Sequence, residues 1–274
     1  MDIELSNENV LLVDMTNVVS QIYYADAANT VARSMRYVAE AKDFFSSSHV
    51  VACFDGKNSS TSRKAKLKQY KANRKQRPEG LTEALRDVYR AAKNVAACEV
   101  HEGYEGDDAI AAVIHHMKED GLFEKGCQAV IASNDRDFFA LLKSGEVRQF
   151  FFQGGLPTVY TEEKASEELG FPIEYYLDYR VITGDSSDNV SGVKGVGPKT
   201  ASKWIRQFGS LDNIIENVDI LPGPVKCRTA LIEAHKNGDL AVFREVLSFR
   251  TDCPVVWRWP DVGAILDELD SVFD

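Results

Sequence analysis

Residues 49–55 read HVVACFD, an unbroken apolar run that stops at an acid. The pattern recurs. Residues 10–14 read VLLVD and end at Asp14, and residues 128–137 read QAVIASNDRD and run into Asp135 and Asp137. A shorter run at 97–101, ACEVH, leads through EGYEGDD to Glu105, Asp107 and Asp108. Short apolar runs without polar alternation are strands covered on both faces, and such strands build mostly parallel sheets. Helical patterns lie between them: one up to about residue 45, one over 81–94, and one over 107–119, where Ile110, Val113, Ile114 and Met117 recur at helical spacing. Residues 147–152 add one more strand. The expected class is α/β, with a mostly parallel central sheet flanked by helices.

From residue 161 the pattern is mainly helical. Helices are expected over 162–169, 173–183, 198–208, 211–217, 224–235 and 240–247, with an extended segment at 255–260. This divides the chain into an α/β core at 1–160 and a helical region at 161–274 packed on it. With 274 residues, 44% hydrophobic and 27% charged, the chain is neither disordered nor fibrous. No apolar run nears the roughly 18 residues of a membrane helix, and MDIELSNENV lacks the pattern of a secretory leader. A cytoplasmic monomer without a membrane partner is expected. Five scattered cysteines form no C-x-x-C pair, so neither a zinc site nor a disulfide framework is expected.

In an open parallel sheet, ligands bind beyond the carboxyl ends of the strands. Asp14, Asp55, Glu105, Asp107, Asp108, Asp135 and Asp137 should therefore converge there, and Asp185 and Asp188 of GDSSDN add two acids three residues apart. A lone Asp after a strand is usually a cap or turn residue, but capping does not explain the whole set. Carboxylates gathered this way repel and raise one another's pKa. An all-oxygen donor set with no His or Cys points to a hard cation, Mg²⁺ or Mn²⁺. The net charge is −10, from 42 acids against 32 bases. Setting the nine acids aside leaves 33 against 32, so the chain's acidity is that of the expected site.

The bases are concentrated elsewhere. Residues 63–77 read RKAKLKQYKANRKQR, eight bases in fifteen and no acid. As a helix, this stretch sets Lys64, Lys68, Lys71 and Lys75 on one face and Arg63, Tyr70, Arg74 and Arg77 beside it. Leu67 is its one aliphatic residue larger than Ala, so a surface helix is expected, weakly ordered when unbound. Charge of a single sign with an aromatic among it suits a nucleic acid, the bases on phosphates and Tyr70 stacked on an unpaired base. Residues 190–201, VSGVKGVGPKTA, form a glycine turn at Gly192, Gly195 and Gly197. Pro198 then starts a helix whose outward N–H groups bind anions, with Lys194, Lys199, Thr200 and Lys203 as further donors. It is not a Walker A loop, because Pro198 stands at the lysine position.

In order, VDMTN, CFDG, YKANR, EGDD, SNDRDF, GDSSDN and GVKGVGPKTA resemble the 5′-nuclease family: flap endonucleases, phage 5′–3′ exonucleases and the 5′-nuclease domain of DNA polymerase I. The match runs from about residue 10 to 208. The resemblance implies a PIN-like core, a basic arch over about 57–95 and a helix-hairpin-helix element over 190–208. It implies a structure-specific 5′ nuclease, both exonuclease and flap endonuclease, hydrolysing DNA near a free 5′ end with two metal ions. Flaps, forks, nicked or gapped duplexes and RNA–DNA are the implied substrates, in replication or repair. By motif, Asp14, Asp55, Glu105 and Asp107 match the first metal cluster, Asp135, Asp137, Asp185 and Asp188 the second, and Asp108 is a supporting metal-site acid. Lys71 and Arg74 match the catalytic bases; Arg63, Lys64, Lys68, Tyr70 and Lys75 fall in the DNA-guiding arch. The 192–197 turn is implied to hold K⁺ and grip duplex. A separate polymerase or single-strand binding protein, in a bacterial or phage-infected cell, is the implied partner. Gly106 departs from the Ala many relatives carry. An RNA-directed PIN-type nuclease and a non-catalytic structure-specific DNA-binding protein are the alternatives.

Overall fold

The computed structural model describes residues 8–153 and 156–257. Strands β1 (Asn9–Asp14), β2 (Ser47–Phe54), β3 (Ala97–Val100), β4 (Gln128–Ala132), β5 (Val147–Gln153) and β6 (Leu156–Tyr160) form one sheet in the order β3-β2-β1-β4-β5-β6. The first five are parallel and β6 closes the edge antiparallel to β5. Chain order reverses between β1 and β4, the switch point where such sheets place their ligands. Asp14 pairs with Cys53 and Val13 with Ala132, so the carboxyl ends of β1, β2 and β4 are level.

Both faces of the sheet are covered, which is why its strands read as continuous apolar runs. Leu11 and Val13 face helices α1 (Met15–Ala25), α2 (Thr30–Phe44) and α4 (Glu79–Ala92); Val10 and Leu12 face α5 (Gly106–Glu119). The expected helix up to residue 45 is two, interrupted at Asp26, whose carboxylate accepts from Asn29 and Arg33. Strand β6 was not foreseen. It is an edge strand carrying Pro157, a residue that edges tolerate and strand patterns do not favour.

Helices α6 (Glu162–Leu169), α7 (Tyr176–Thr183), α8 (Pro198–Phe208), α9 (Leu211–Glu216), α10 (Val225–Lys236) and α11 (Asp239–Leu247) follow. Six-residue α3 (Thr61–Lys66) belongs to the basic stretch. The second core, around Trp204, Ile205, Ile214 and Leu231, also contains Leu67 and Tyr70. The basic stretch is therefore not one surface helix. Its helix ends at Lys66, Leu67 is extended, and Lys71 takes a left-handed φ of 54° in the turn that follows. Burying Leu67 and Tyr70 contributes on the order of 2 kcal/mol each, which overrides the helical spacing of the lysines and anchors this part of the expected arch.

Beyond α11 the chain crosses back to the sheet. Cys253, Val255 and Trp257 pack in the core beneath α5. Buried Glu99 of β3 accepts the Val256 and Trp257 N–H groups at 3.0 and 2.6 Å. Helical packing thus gives way to an extended strap, as expected for 255–257; residues 258–260 lie outside the described residues. Among the described residues, no helix is long and apolar enough to cross a membrane.

Candidate active site

The acids at the strand ends meet in one cleft of about 440 Å³. Asp14, Asp55, Glu105, Asp107, Asp135, Asp137 and Asp188 line it, with Lys71, Arg74, Lys75 and Arg77 on the facing wall. Several of these acids are held by groups that the fold has already placed. Asp14 caps α1 through the Asn17 N–H (3.0 Å) and accepts from the Ser133 hydroxyl beyond β4 (2.8 Å). Asp55 accepts the Gly106 N–H at 3.0 Å. Glu105 caps α5, and Asp135 accepts the Asp137 N–H at 2.9 Å. Gly106 suits its position: a Cβ there would sit 3.3 Å from the Cys53 carbonyl oxygen, where α5 starts against the end of β2.

Burial raises the Asp14 carboxyl to about 7, helped by Asp55 and Asp135 and opposed by its two hydrogen bonds. Burial pushes Asp107 well above its ordinary value, with Asp14, Asp135, Glu105 and Asp55 adding repulsion. Asp135 is raised by burial and by Asp188 and Asp185, despite Arg180. Burial and mutual repulsion penalise the ionised form of these carboxyls, a penalty that a bound cation relieves. Carboxylate oxygens of Asp137, Asp185 and Asp188 lie within 4.8 Å of one another, and the whole donor set is oxygen, as a hard divalent ion requires.

One expected ligand is placed otherwise. Asp108 is fully buried and turned away from the cleft: Arg63 clamps both its oxygens at 2.9 and 2.6 Å, and the Glu105 and Arg250 N–H groups complete its hydrogen bonds. It is a structural acid, not a ligand facing the cleft. Asp185 sits behind Asp188. Its Oδ1 accepts from the Ser187 N–H (2.6 Å) and hydroxyl (2.7 Å), and its other oxygen pairs with Arg180. Burial opposes ionisation there, yet Ser187 and Arg180 hold its pKa below the ordinary value.

The basic stretch is corrected residue by residue. Arg63 is buried, donating to Asp108, Glu105 and the Val246 and Ser248 carbonyls, and is not available to DNA. Tyr70 is 1% exposed and cannot stack on a base; its hydroxyl joins Glu105 (3.1 Å) to Asp188 (3.0 Å). Lys71 Nζ reaches Glu105 at 2.7 Å, and Arg74 reaches Asp188 at 2.6 Å. Both therefore stand at the cleft, as expected. The turn carrying them is docked on the loop after α7: Lys71 N–H donates to the Asp188 carbonyl, and Asn189 and Asn73 side chains complete the seam. Lys64, Lys68 and Lys75 are exposed.

The glycine hairpin joins α7 to α8. Gly184 and Gly192, at φ 72° and 62°, lie back to back, so a Cβ on Gly192 would fall 2.4 Å from the Gly184 nitrogen. Val193 and Val196 are buried, whereas Lys194, Gly195, Gly197, Lys199 and Lys203 are exposed and Thr200 is half-buried at the start of α8. Arg180, Ser133 and Arg250 are the residues that motif reading missed. A lone base in the apolar helix YLDYRVIT was the available signal for Arg180.

Residues 9–170 match the family described as 5′-3′ exonuclease, N-terminal resolvase-like domain, and residues 171–268 match 5′-3′ exonuclease, C-terminal SAM fold. The chain belongs to the 5′–3′ exonuclease family. A 5′-3′ exonuclease of Bacillus subtilis is 32% identical over 80% of the chain and 76% of that relative. The flap endonuclease Xni of Pectobacterium carotovorum is 29% identical over 89% and 90%. Against the thermostable DNA polymerase I of Thermus filiformis, 31% identical, the chain spans 33% of the relative's length. Among solved structures, a T5 5′-exonuclease with bound divalent zinc ions matches with a TM-score of 0.76 and 25% identity, over 90% of this chain and 91% of that one.

Proposed function

We propose that the protein is a divalent-metal-dependent 5′ nuclease that hydrolyses DNA phosphodiester bonds near a free 5′ end, as exonuclease and flap endonuclease. The observation that carries this reading is the cleft itself, where seven acids face Lys71, Arg74, Lys75 and Arg77. Acids alone describe a metal site and bases alone a phosphate site; a phosphodiester being hydrolysed needs both. Asp14, Asp55, Glu105 and Asp107 would hold one Mg²⁺ or Mn²⁺, and Asp135, Asp137, Asp185 and Asp188 a second. When bound, the ions acidify the attacking water and neutralise charge growing on the phosphate and the leaving 3′ oxygen.

The chain's own residues do the rest. Lys71 and Arg74, poised on Glu105 and Asp188, exchange those carboxylates for the scissile phosphate and stabilise its added charge. Tyr70 fixes the spacing between Glu105 and Asp188 from behind. Lys194, Lys199 and Lys203, with the N–H groups opening α8, grip phosphates of the adjoining duplex. A K⁺ ion at the 192–197 turn, a separate polymerase or single-strand binding protein as partner, and a cytoplasmic site of action in replication or repair complete the proposal.

The test is a DNA junction with a 5′ single-stranded flap, labelled at either end, incubated with Mg²⁺ or with EDTA. Mg²⁺-dependent cuts near the junction are expected, released from the 5′ side. Tight binding without product in either Mg²⁺ or Mn²⁺ would overturn the reading and leave a DNA-binding protein. Preference for an RNA 5′ strand over DNA on the same template would reassign the substrate.

A further inference from the structure

Arg180 stands where a cation belongs. It lies on α7, its side chain 13% exposed, with its guanidinium paired to Asp137 from beyond β4 and to Asp185 from the loop after α7. A second contact to Asp137 Oδ2 measures 3.3 Å, and Tyr176 flanks the group with its hydroxyl 3.5 Å away. These two acids, with Asp188, form the cluster whose oxygens lie within 4.8 Å of one another. The bases on the opposite wall approach differently. Lys71 and Arg74 touch Glu105 and Asp188 from the side open to a phosphate, whereas Arg180 comes from the protein interior.

We propose that Arg180 is a built-in competitor for the ion held by Asp137, Asp185 and Asp188. It neutralises two of these acids in the ion-free protein and must release them when a divalent cation binds. This half of the site therefore binds its ion more weakly than it would without Arg180. The inference rests on the reading of the cleft as a divalent-ion site. Carboxylate lone pairs engaged by a forked guanidinium are not free for a metal, and each ion pair broken lowers the apparent affinity by the fraction of molecules in which it is already open. Arginine does not deprotonate in proteins, so raising the pH does not relieve the competition. In the absence of the ion, the same contact keeps Asp137 and Asp185 from being driven apart by repulsion. Arg180 is a positioning residue: it acts on the acids and not on the substrate.

The test is Mn²⁺ binding to the full chain without DNA, read by electron paramagnetic resonance of the free ion, for the wild type, Arg180→Met and Arg180→Lys. Two classes of binding are expected in the wild type, the weaker removed by Asp188→Asn. In Arg180→Met the weaker class should tighten by about tenfold while the tighter class stays put. Arg180→Lys, a point charge without the fork, should fall between. Thermal unfolding supplies a second readout. Arg180→Met should unfold at a lower temperature in EDTA, yet gain more from saturating Mn²⁺ than the wild type gains. A purely structural role would lower the unfolding temperature equally with and without Mn²⁺ and leave the weaker class unchanged or weakened, and either result overturns the inference. If Arg180→Met does not fold, a weaker class in Arg180→Lys equal to that of the wild type overturns it as well. A wild type that binds no Mn²⁺ would sink the parent reading together with this one.

Discussion

On one side of the cleft, Asp14, Asp55, Glu105 and Asp107 stand at the ends of paired strands or at the start of α5, and Asp14 and Asp55 accept backbone N–H groups there. On the other, Asp137 lies in a short 3-10 helix and Asp185 and Asp188 in the loop after α7, and side chains hold them, chiefly Arg180, Arg74 and Tyr70, with the Ser187 N–H on Asp185. The first side takes its positions chiefly from the sheet and the start of α5, with Lys71 and Arg77 added from the cleft; the second depends more on partners that a ligand can displace. A rigid half and an exchangeable half make different demands on sequence and respond differently to substitution.

Removing a carboxylate from the rigid half should have the largest effect. Asp14→Asn keeps the shape of the side chain but removes its charge, and single-turnover cleavage of a flap substrate should slow by about a thousandfold. DNA affinity, measured in Ca²⁺ by fluorescence anisotropy, should change little. Loss of binding in step with turnover would mean that Asp14 serves the fold and not the chemistry.

Arg63→Met strikes the seam between the halves. It leaves Asp108 buried without its counter-charge, at a cost of about 3–5 kcal/mol, to be read as a lower urea midpoint. An unchanged midpoint would show that the Asp108 carboxyl can be neutralised without Arg63, and the seam would carry little.

Removing divalent ions sharpens the contrast through pH. Asp14, raised from 3.8 to about 7, binds a proton in the folded state that the unfolded chain releases. That contribution to stability is full below about pH 4 and is lost as pH rises through about 7. In EDTA the unfolding temperature should therefore fall by a few degrees between about pH 5 and pH 8, and saturating Mg²⁺ should remove most of that fall. A flat profile in EDTA would contradict the raised carboxyl.

The smallest effect is expected far from the acids. Lys199→Ala should weaken duplex binding a few-fold and lower the salt slope by about one, leaving turnover at saturating DNA unchanged. If turnover falls while affinity holds, the hairpin does not grip duplex.

The rigid half was legible in the sequence because its signals are local. Apolar runs ending in acids become strand ends wherever both faces of a sheet are covered. Helix α6 begins at Thr161, whose hydroxyl accepts the Lys164 N–H, and stops at left-handed Gly170; α8 begins at Pro198. Boundaries written in caps were read correctly. The exchangeable half was legible in composition but not in placement. Arg63 and Tyr70 are polar residues buried against partners more than 30 residues away in sequence, Asp108 and Asp188. Helical spacing assigns such residues to a solvent face, because nothing nearby in sequence shows the acid that lets them be buried. Asp108 was misplaced for the same reason, since its partner Arg63 was counted among the exposed bases.

Arg63 has one more consequence. A single guanidinium takes carbonyls from the end of α11 and just beyond it, Val246 and Ser248, and carboxylates from the start of α5, Glu105 and Asp108. Helix α11, which packs on the hairpin's α7, and the start of α5, which carries Glu105 and Asp107, are thereby pinned to a common point. If the hairpin holds the duplex, the distance from grip to cut is a length of the folded chain, and the protein serves as a ruler. The position of cleavage is then counted from the junction, whatever the length of the strand that hangs free.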